Sequence, residues 1–161
     1  MDDDEIIRTT FTEILKHEGY DVDVAEDGAQ AIDKSNSKLF DLALVDMRLP
    51  DMLGTDLLDK MRKTTPKMAK IMVTATPTLR NAIAAVNRGA DGYITKPVVA
   101  EDLLAVIREH LQKRDEAAKY SDQKVAEFVQ TRARELQAKQ SGAGHASSRS
   151  NPADQADRSK K

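Results

Sequence analysis

The stretch Asp41-Leu-Ala-Leu-Val-Asp-Met-Arg-Leu-Pro-Asp-Met-Leu-Gly54 holds an apolar run, Leu42 to Val45, that is too short for a helix and stops at a carboxylate. Such a run reads as a buried strand that delivers Asp46 to its carboxyl end. Pro50 and Gly54 follow, suiting a loop that bends sharply around a bound group. In open parallel α/β sheets ligands bind in the crevice outside the carboxyl ends of the strands, so Asp46 stands where a site residue would. A carboxylate that only caps the following turn is the competing reading of this stretch.

Outward from there, helix-like and strand-like segments alternate. On the amino side, Ile6, Ile7, Phe11, Ile14 and Leu15 recur at helical spacing, predicting a helix over about Asp4 to Glu18. Asp2, Asp3 and Asp4 precede it, where negative charge is favourable against the helix dipole. Asp21-Val-Asp-Val-Ala25 alternates polar and apolar and predicts a strand, with Glu26-Asp27-Gly28 as its turn and a short helix over about Gly28 to Ser37. On the carboxyl side, Leu57, Leu58 and Met61 predict a helix between Thr55 and Thr64, closed by Pro66. Lys70 to Thr74 is a strand ending in a hydroxyl, and Thr78 can cap a helix that Gly89 ends. Gly92 to Lys96 is a strand ending in an ammonium, followed by a helix over Glu101 to Arg114. Strand and helix in alternation imply a doubly wound parallel sheet with helices on both faces.

Composition narrows the function classes. The 161 residues allow one ordinary domain, assigned here to residues 1–114, plus an appendage. There is no Cys, so disulfides and thiol chemistry are excluded, and three scattered His offer no metal spacing. Any metal must therefore be held by oxygen. No apolar run approaches the ~20 residues of a membrane helix, which predicts a cytoplasmic protein without membrane contact. Residues 1–112 carry 14 Lys and Arg against 20 Asp and Glu, and residues 113–161 carry 11 against 7; neither half is basic enough to predict direct nucleic-acid binding. Ser121 can cap a further helix within residues 115–140, where Val125, Phe128, Val129, Arg132 and Leu136 form a stripe near heptad spacing, a possible short coiled coil. Residues 141–161, rich in Gly, Ser, Asp and Lys, predict a disordered tail.

Three strands thus bring Asp46, Thr74 and Lys96 to one sheet edge beside an acidic cluster. A carboxylate can attack phosphorus, Mg²⁺ bound by oxygen can neutralise the transferring oxygens, and a hydroxyl and an ammonium can bind the remaining phosphoryl charge. With the Asp2-Asp3 pair, Leu44-Val-Asp-Met-Arg-Leu-Pro-Asp-Met-Leu-Gly54, Val73-Thr-Ala75 and Gly92-Tyr-Ile-Thr-Lys-Pro97, the chain closely resembles the receiver domain of two-component response regulators over about Met1 to Arg114.

The resemblance implies a flavodoxin-like fold with strand order 2-1-3-4-5 in the family's numbering. It implies Asp46 as phosphoacceptor, Mg²⁺ held by Asp2, Asp3, Asp46 and the Arg48 backbone carbonyl, and Thr74 and Lys96 on the phosphoryl group. Thr74 and Tyr93 would form the switch, and the Lys96-Pro97 peptide would be cis. Partners would be a histidine kinase or phosphotransfer protein and a downstream protein, with a possible homodimer through the fourth and fifth helices and the C-terminal helix. The chain would not be an enzyme beyond its own phosphorylation and dephosphorylation, and no DNA-binding output domain is recognisable in it. A degenerate receiver acting only as an interaction module is an alternative. So is an aspartyl-phosphate phosphatase of the haloacid dehalogenase type, although such enzymes want an Asp where Arg48 stands. One departure is large: the family's apolar first strand, at the centre of its sheet, has no counterpart before Asp2. A misplaced start, a shortened chain, a rearranged neighbouring strand or another chain filling the gap would each account for it.

Overall fold

In a computed structural model, residues 1–61, 63 and 67–143 are described, with side chains to Gln137. They divide into two units, Met1–Lys119 and Tyr120 onward.

The first unit is built on a three-stranded parallel sheet, β1 (Leu42–Asp46), β2 (Ala69–Thr74) and β3 (Gly92–Thr95), in that spatial order. Every residue of the central β2 is buried. Apolar side chains that alternate along β1 serve opposite faces: Ala43 and Val45 join Met72, while Leu42 and Leu44 lie with Ile71 and Ile94. Helices α2 (Gly28–Ser37), α3 (Gly54–Lys60) and α4 (Leu79–Asn87) cover the first face through Ala31, Leu57, Leu58 and Ala85. On the other face lie α1 (Glu5–His17) and the start of α5 (Ala100–Ala143), through Leu15, Leu103 and Ile107. Sequence caps fix the helix starts: the side chains of Asp4, Asp27 and Thr78 accept from first-turn N–H groups of α1, α2 and α4.

Three expectations are corrected. The alternating segment Asp21–Ala25 is not a strand. A strand needs a neighbour about 4.8 Å away to complete its hydrogen bonds, and between this segment and β1 lies a cavity of about 400 Å³. Only Met1 and Asp2 reach across its end, Asp2 N–H donating to Ala25 C=O. Among the described residues the sheet consequently has three strands rather than the four expected from the sequence. The second correction concerns α5, which runs unbroken through Asp115–Tyr120 and merges the two helices predicted on either side. That junction contains neither Gly nor Pro, and Lys113–Glu109 and Gln112–Glu116 contacts at i,i+4 spacing favour helix there. The third is α3, which stops at Lys60 because Met61 turns to an extended backbone; Thr64 and Pro66 lie outside the described residues, as does the predicted disordered tail from residue 144, while its first three positions, 141–143, are the last turn of α5.

Candidate phosphoryl-acceptor site

Asp46 ends β1 with its backbone held on both sides. Its N–H donates to Met1 C=O, and Gly54 packs so closely on its carbonyl that a β-carbon at 54 would lie 2.0 Å from that oxygen. Gly54 is thus required for close approach, where the sequence suggested a sharp bend. The Asp46 carboxylate accepts from Arg48 N–H at 3.1 Å and from the Lys96 ammonium at 2.5 Å. The same ammonium donates to Asp2 at 2.6 Å, so one cation bridges the carboxylate just before α1 and the carboxylate that ends β1. Oxygens of Asp2, Asp3 and Asp46 lie within 4.8 Å of one another.

Burial raises the Asp2 carboxyl above its usual range, with the bonds from Lys96 and Asp4 N–H working against that rise. At Lys96 burial acts to lower the ammonium, but the hydrogen bonds to Asp2 and Asp46 outweigh it and hold the group above its ordinary value. The site is therefore a cluster of hard oxygen donors whose resident counter-cation is a side chain. Three carboxylates at this spacing fit a small divalent ion such as Mg²⁺.

The other predicted site residues are placed less directly. Thr74 is buried at the end of β2, one step beyond the Asp46–Val73 pair; its hydroxyl accepts from Thr76 N–H. Lys96 N–H donates to Thr74 C=O, tying the two strand ends together, and the Lys96-Pro97 peptide is cis. Tyr93 pairs with Met72 in the ladder and packs on the same core face as Val45, with its hydroxyl buried and unpartnered. It makes no hydrogen bond to the carboxylate cluster.

Two residues were missed by sequence reasoning. The Arg8 guanidinium donates from one nitrogen to the backbone carbonyls of both Asp2 and Asp3, at 2.9 Å each. Its signal was an Arg in the predicted first helix, five and six positions after the acidic pair. Asp51 accepts from Gly28 and Ala29 N–H at 2.8 and 2.9 Å, latching the loop after Asp46 to the start of α2. These bonds hold its carboxyl below the usual range, Gly28 foremost.

A family model described as the response regulator receiver domain matches residues 1–108, and the chain belongs to that family. It is 39% identical over 114 residues to the response regulator ArlR of Staphylococcus epidermidis, a match covering 70% of this chain and 51% of that one. The chain spans about half the length of the curated relatives it matches. Among solved structures, a CheY-like receiver domain from Methanospirillum hungatei is 44% identical with a TM-score of 0.69, covering 72% of this chain and 93% of that one. A response regulator from Burkholderia pseudomallei, solved with a phosphorylated aspartic acid and a calcium ion, is 26% identical with a TM-score of 0.61, covering 72% and 68%. The chain is thus a receiver domain of two-component signalling. Among the described residues no helix is long and apolar enough to cross a membrane.

Proposed function

We propose that this receiver accepts a phosphoryl group on Asp46 from a histidine kinase or phosphotransfer protein in the cytoplasm, and signals through phosphorylation-dependent protein association. The observation that carries this reading is the Lys96 ammonium bridging Asp2 and Asp46, with Asp3 alongside. The phosphorylated aspartic acid and cation of the Burkholderia protein are consistent with it.

An Asp46 carboxylate oxygen forms the new O–P bond while the donor's bond to phosphorus breaks, its electron pair leaving with the donor fragment. Asp2, Asp3 and Asp46, with the Arg48 carbonyl, would hold Mg²⁺, which when bound supplies positive charge to the transferring oxygens. Lys96, already within hydrogen-bond reach of Asp46, turns its ammonium to the added phosphoryl charge, and the Thr74 hydroxyl exchanges Thr76 N–H for a phosphoryl oxygen. Tyr93 follows. As Thr74 is drawn to the phosphoryl group, the Tyr93 ring rotates into the space vacated and alters the face beside α5.

Apolar residues stand ready for association. Leu79, Ile83 and Val86 are exposed on α4, and Val125, Phe128, Val129 and Leu136 are exposed beyond residue 120. A homodimer through α4 and α5 is the form this reading favours. The decisive assay is Mg²⁺-dependent labelling of the 161-residue chain by acetyl phosphate. Asp46→Ala is expected to reduce labelling to background, and undiminished labelling of that variant would overturn the assignment. In sedimentation, Phe128→Asp is expected to weaken self-association both with and without the phosphodonor.

A further inference from the structure

We propose that the far part of α5 pairs with the same segment of a second copy of this chain as an antiparallel two-helix coiled coil, in the register that sets Asp122 against the partner's Arg132. The starting point is the stripe Val125, Phe128, Val129 and Leu136, whose side chains all lie more than half exposed. Seven-residue spacing puts Asp122, Val129 and Leu136 in one row along the helix and Ala118, Val125 and Arg132 in the row beside it. Two charges of opposite sign therefore interrupt the stripe, one in each row. In a parallel pair each row faces itself, so Arg132 meets the partner's Arg132 and Asp122 the partner's Asp122. Such like-charge layers are costly. In an antiparallel pair the two rows face each other. Once Val129 is set against the partner's Val125, Asp122 falls against the partner's Arg132 and Leu136 against the partner's Ala118, large against small. Each of these layers occurs twice, because the pairing is two-fold symmetric.

The flanks of the stripe agree with this register. In an antiparallel pair each flank meets its own counterpart across the two-fold axis. On one side Phe128 meets the partner's Phe128 as an aromatic pair, and the Ser121 hydroxyl faces the partner's Glu135 carboxylate. On the other side stand Ala126 and Ala133, small enough for the two backbones to approach. Arg132 already donates to Glu135 at 2.8 Å within its own helix. A guanidinium has five N–H donors, so it can keep Glu135 and also take the partner's Asp122. The segment needs no helix nucleus of its own, since α5 propagates from a start held in the core by Leu103 and Ile107. A surface that is its own complement under a two-fold axis, in charge and in side-chain size together, points to a second copy of the chain as its occupant and not to an unrelated helix. The proposal rests on the self-association in the proposed function and is independent of phosphoryl acceptance at Asp46.

The test uses the 161-residue chain without a phosphodonor. The chain has no Cys, so introduced thiols are the only ones present. Ala118→Cys and Leu136→Cys proteins are mixed and treated with a mild oxidant. The mixture is expected to give a disulfide-linked dimer and neither protein alone to do so, because two copies of position 136 then lie about 27 Å apart along the helix axis, as do two copies of position 118. In sedimentation equilibrium, Asp122→Lys and Arg132→Glu are each expected to weaken the dimer about ten-fold, and the double variant to return to within about three-fold of the unaltered chain. Linkage of Leu136→Cys to itself would overturn the antiparallel orientation in favour of a parallel pair. A double variant as weak as the single ones would overturn the pairing of Asp122 with the partner's Arg132. A dimer that gives no cross-link in the mixture would overturn this register while leaving association through another face, whereas a monomer throughout would overturn the pairing and the self-association together.

Discussion

The two edges of β1 make an instructive pair. Facing β2, five consecutive residues are in register, from Leu42 opposite Ala69 to Asp46 opposite Val73. Facing Asp21–Ala25, a single rung made by Met1 is followed by open space. Yet Asp21–Ala25 has as regular an alternation as any strand in the chain. Periodicity states which face a residue prefers, while strand formation also needs a neighbour to take up backbone groups. Local pattern is necessary on both edges and sufficient on neither.

The largest expected contrast between the edges comes from proline. Val73→Pro removes an N–H donor from the middle of the sheet and is expected to cost ~3 kcal/mol or more, a large share of a domain's ~5 to 15. Val24→Pro, in a segment outside the ladder, is expected to cost well under ~1 kcal/mol, as for surface changes away from special features. Urea titration of the two variants measures the difference; equal losses would mean that the segment is already paired. A smaller contrast lies at the glycines beside the site. Gly54→Ala drives a β-carbon into the Asp46 backbone, whereas Gly28→Ala meets the Met52 side chain from Cγ to Cε, which can change rotamer. The first is expected to lose about 1 to 3 kcal/mol, as overpacking typically does, and the second less.

Smaller again is a pH effect at the start of the chain. The Asp2 carboxyl is raised in the folded state, mainly by burial, so that state binds a proton more tightly than the unfolded one. Stability attributable to Asp2 is therefore greatest below its unfolded pKa and falls as pH rises through the folded value. Denaturation of wild type and Asp2→Asn across pH 4 to 8 is expected to show that slope in the wild type alone. The least effect is assigned to Arg8→Lys. The guanidinium nitrogen that donates to both the Asp2 and Asp3 carbonyls is replaced by a shorter-reaching ammonium, with an expected loss of about 1 kcal/mol and weaker Mg²⁺ binding by titration calorimetry.

Most of the architecture was legible because its strands are short runs that deliver Asp46, Thr74 and, one residue past β3, Lys96 to the same sheet edge. Three charged or hydroxyl groups at three strand ends are a pattern that parallel topology turns into proximity. The Lys96 bridge to Asp2 and Asp46 realises it across 94 and 50 positions of sequence. Asp21–Ala25 was misread because its alternation carries no information about a missing neighbour. Arg8 and Asp51 were overlooked because both act on backbone atoms, Arg8 on carbonyls and Asp51 on N–H groups. Residue types reveal side-chain chemistry and say little about which main-chain groups lie nearby. The break predicted near Asp115 assumed that a change of composition interrupts a helix, when only Gly, Pro or a competing cap would do so.

The confinement of the Asp46 peptide unit has a mechanical consequence. Its N–H is tethered to Met1, its carbonyl is pinned beneath Gly54, and its side chain is steered by Arg48 N–H. A substituent on this carboxylate therefore pushes against an anvil. The displacement it causes must appear in the parts free to give way, the Lys96 side chain and the Thr74–Thr76 turn, and the direction of the signal is set by the stiffness of the residue that receives it.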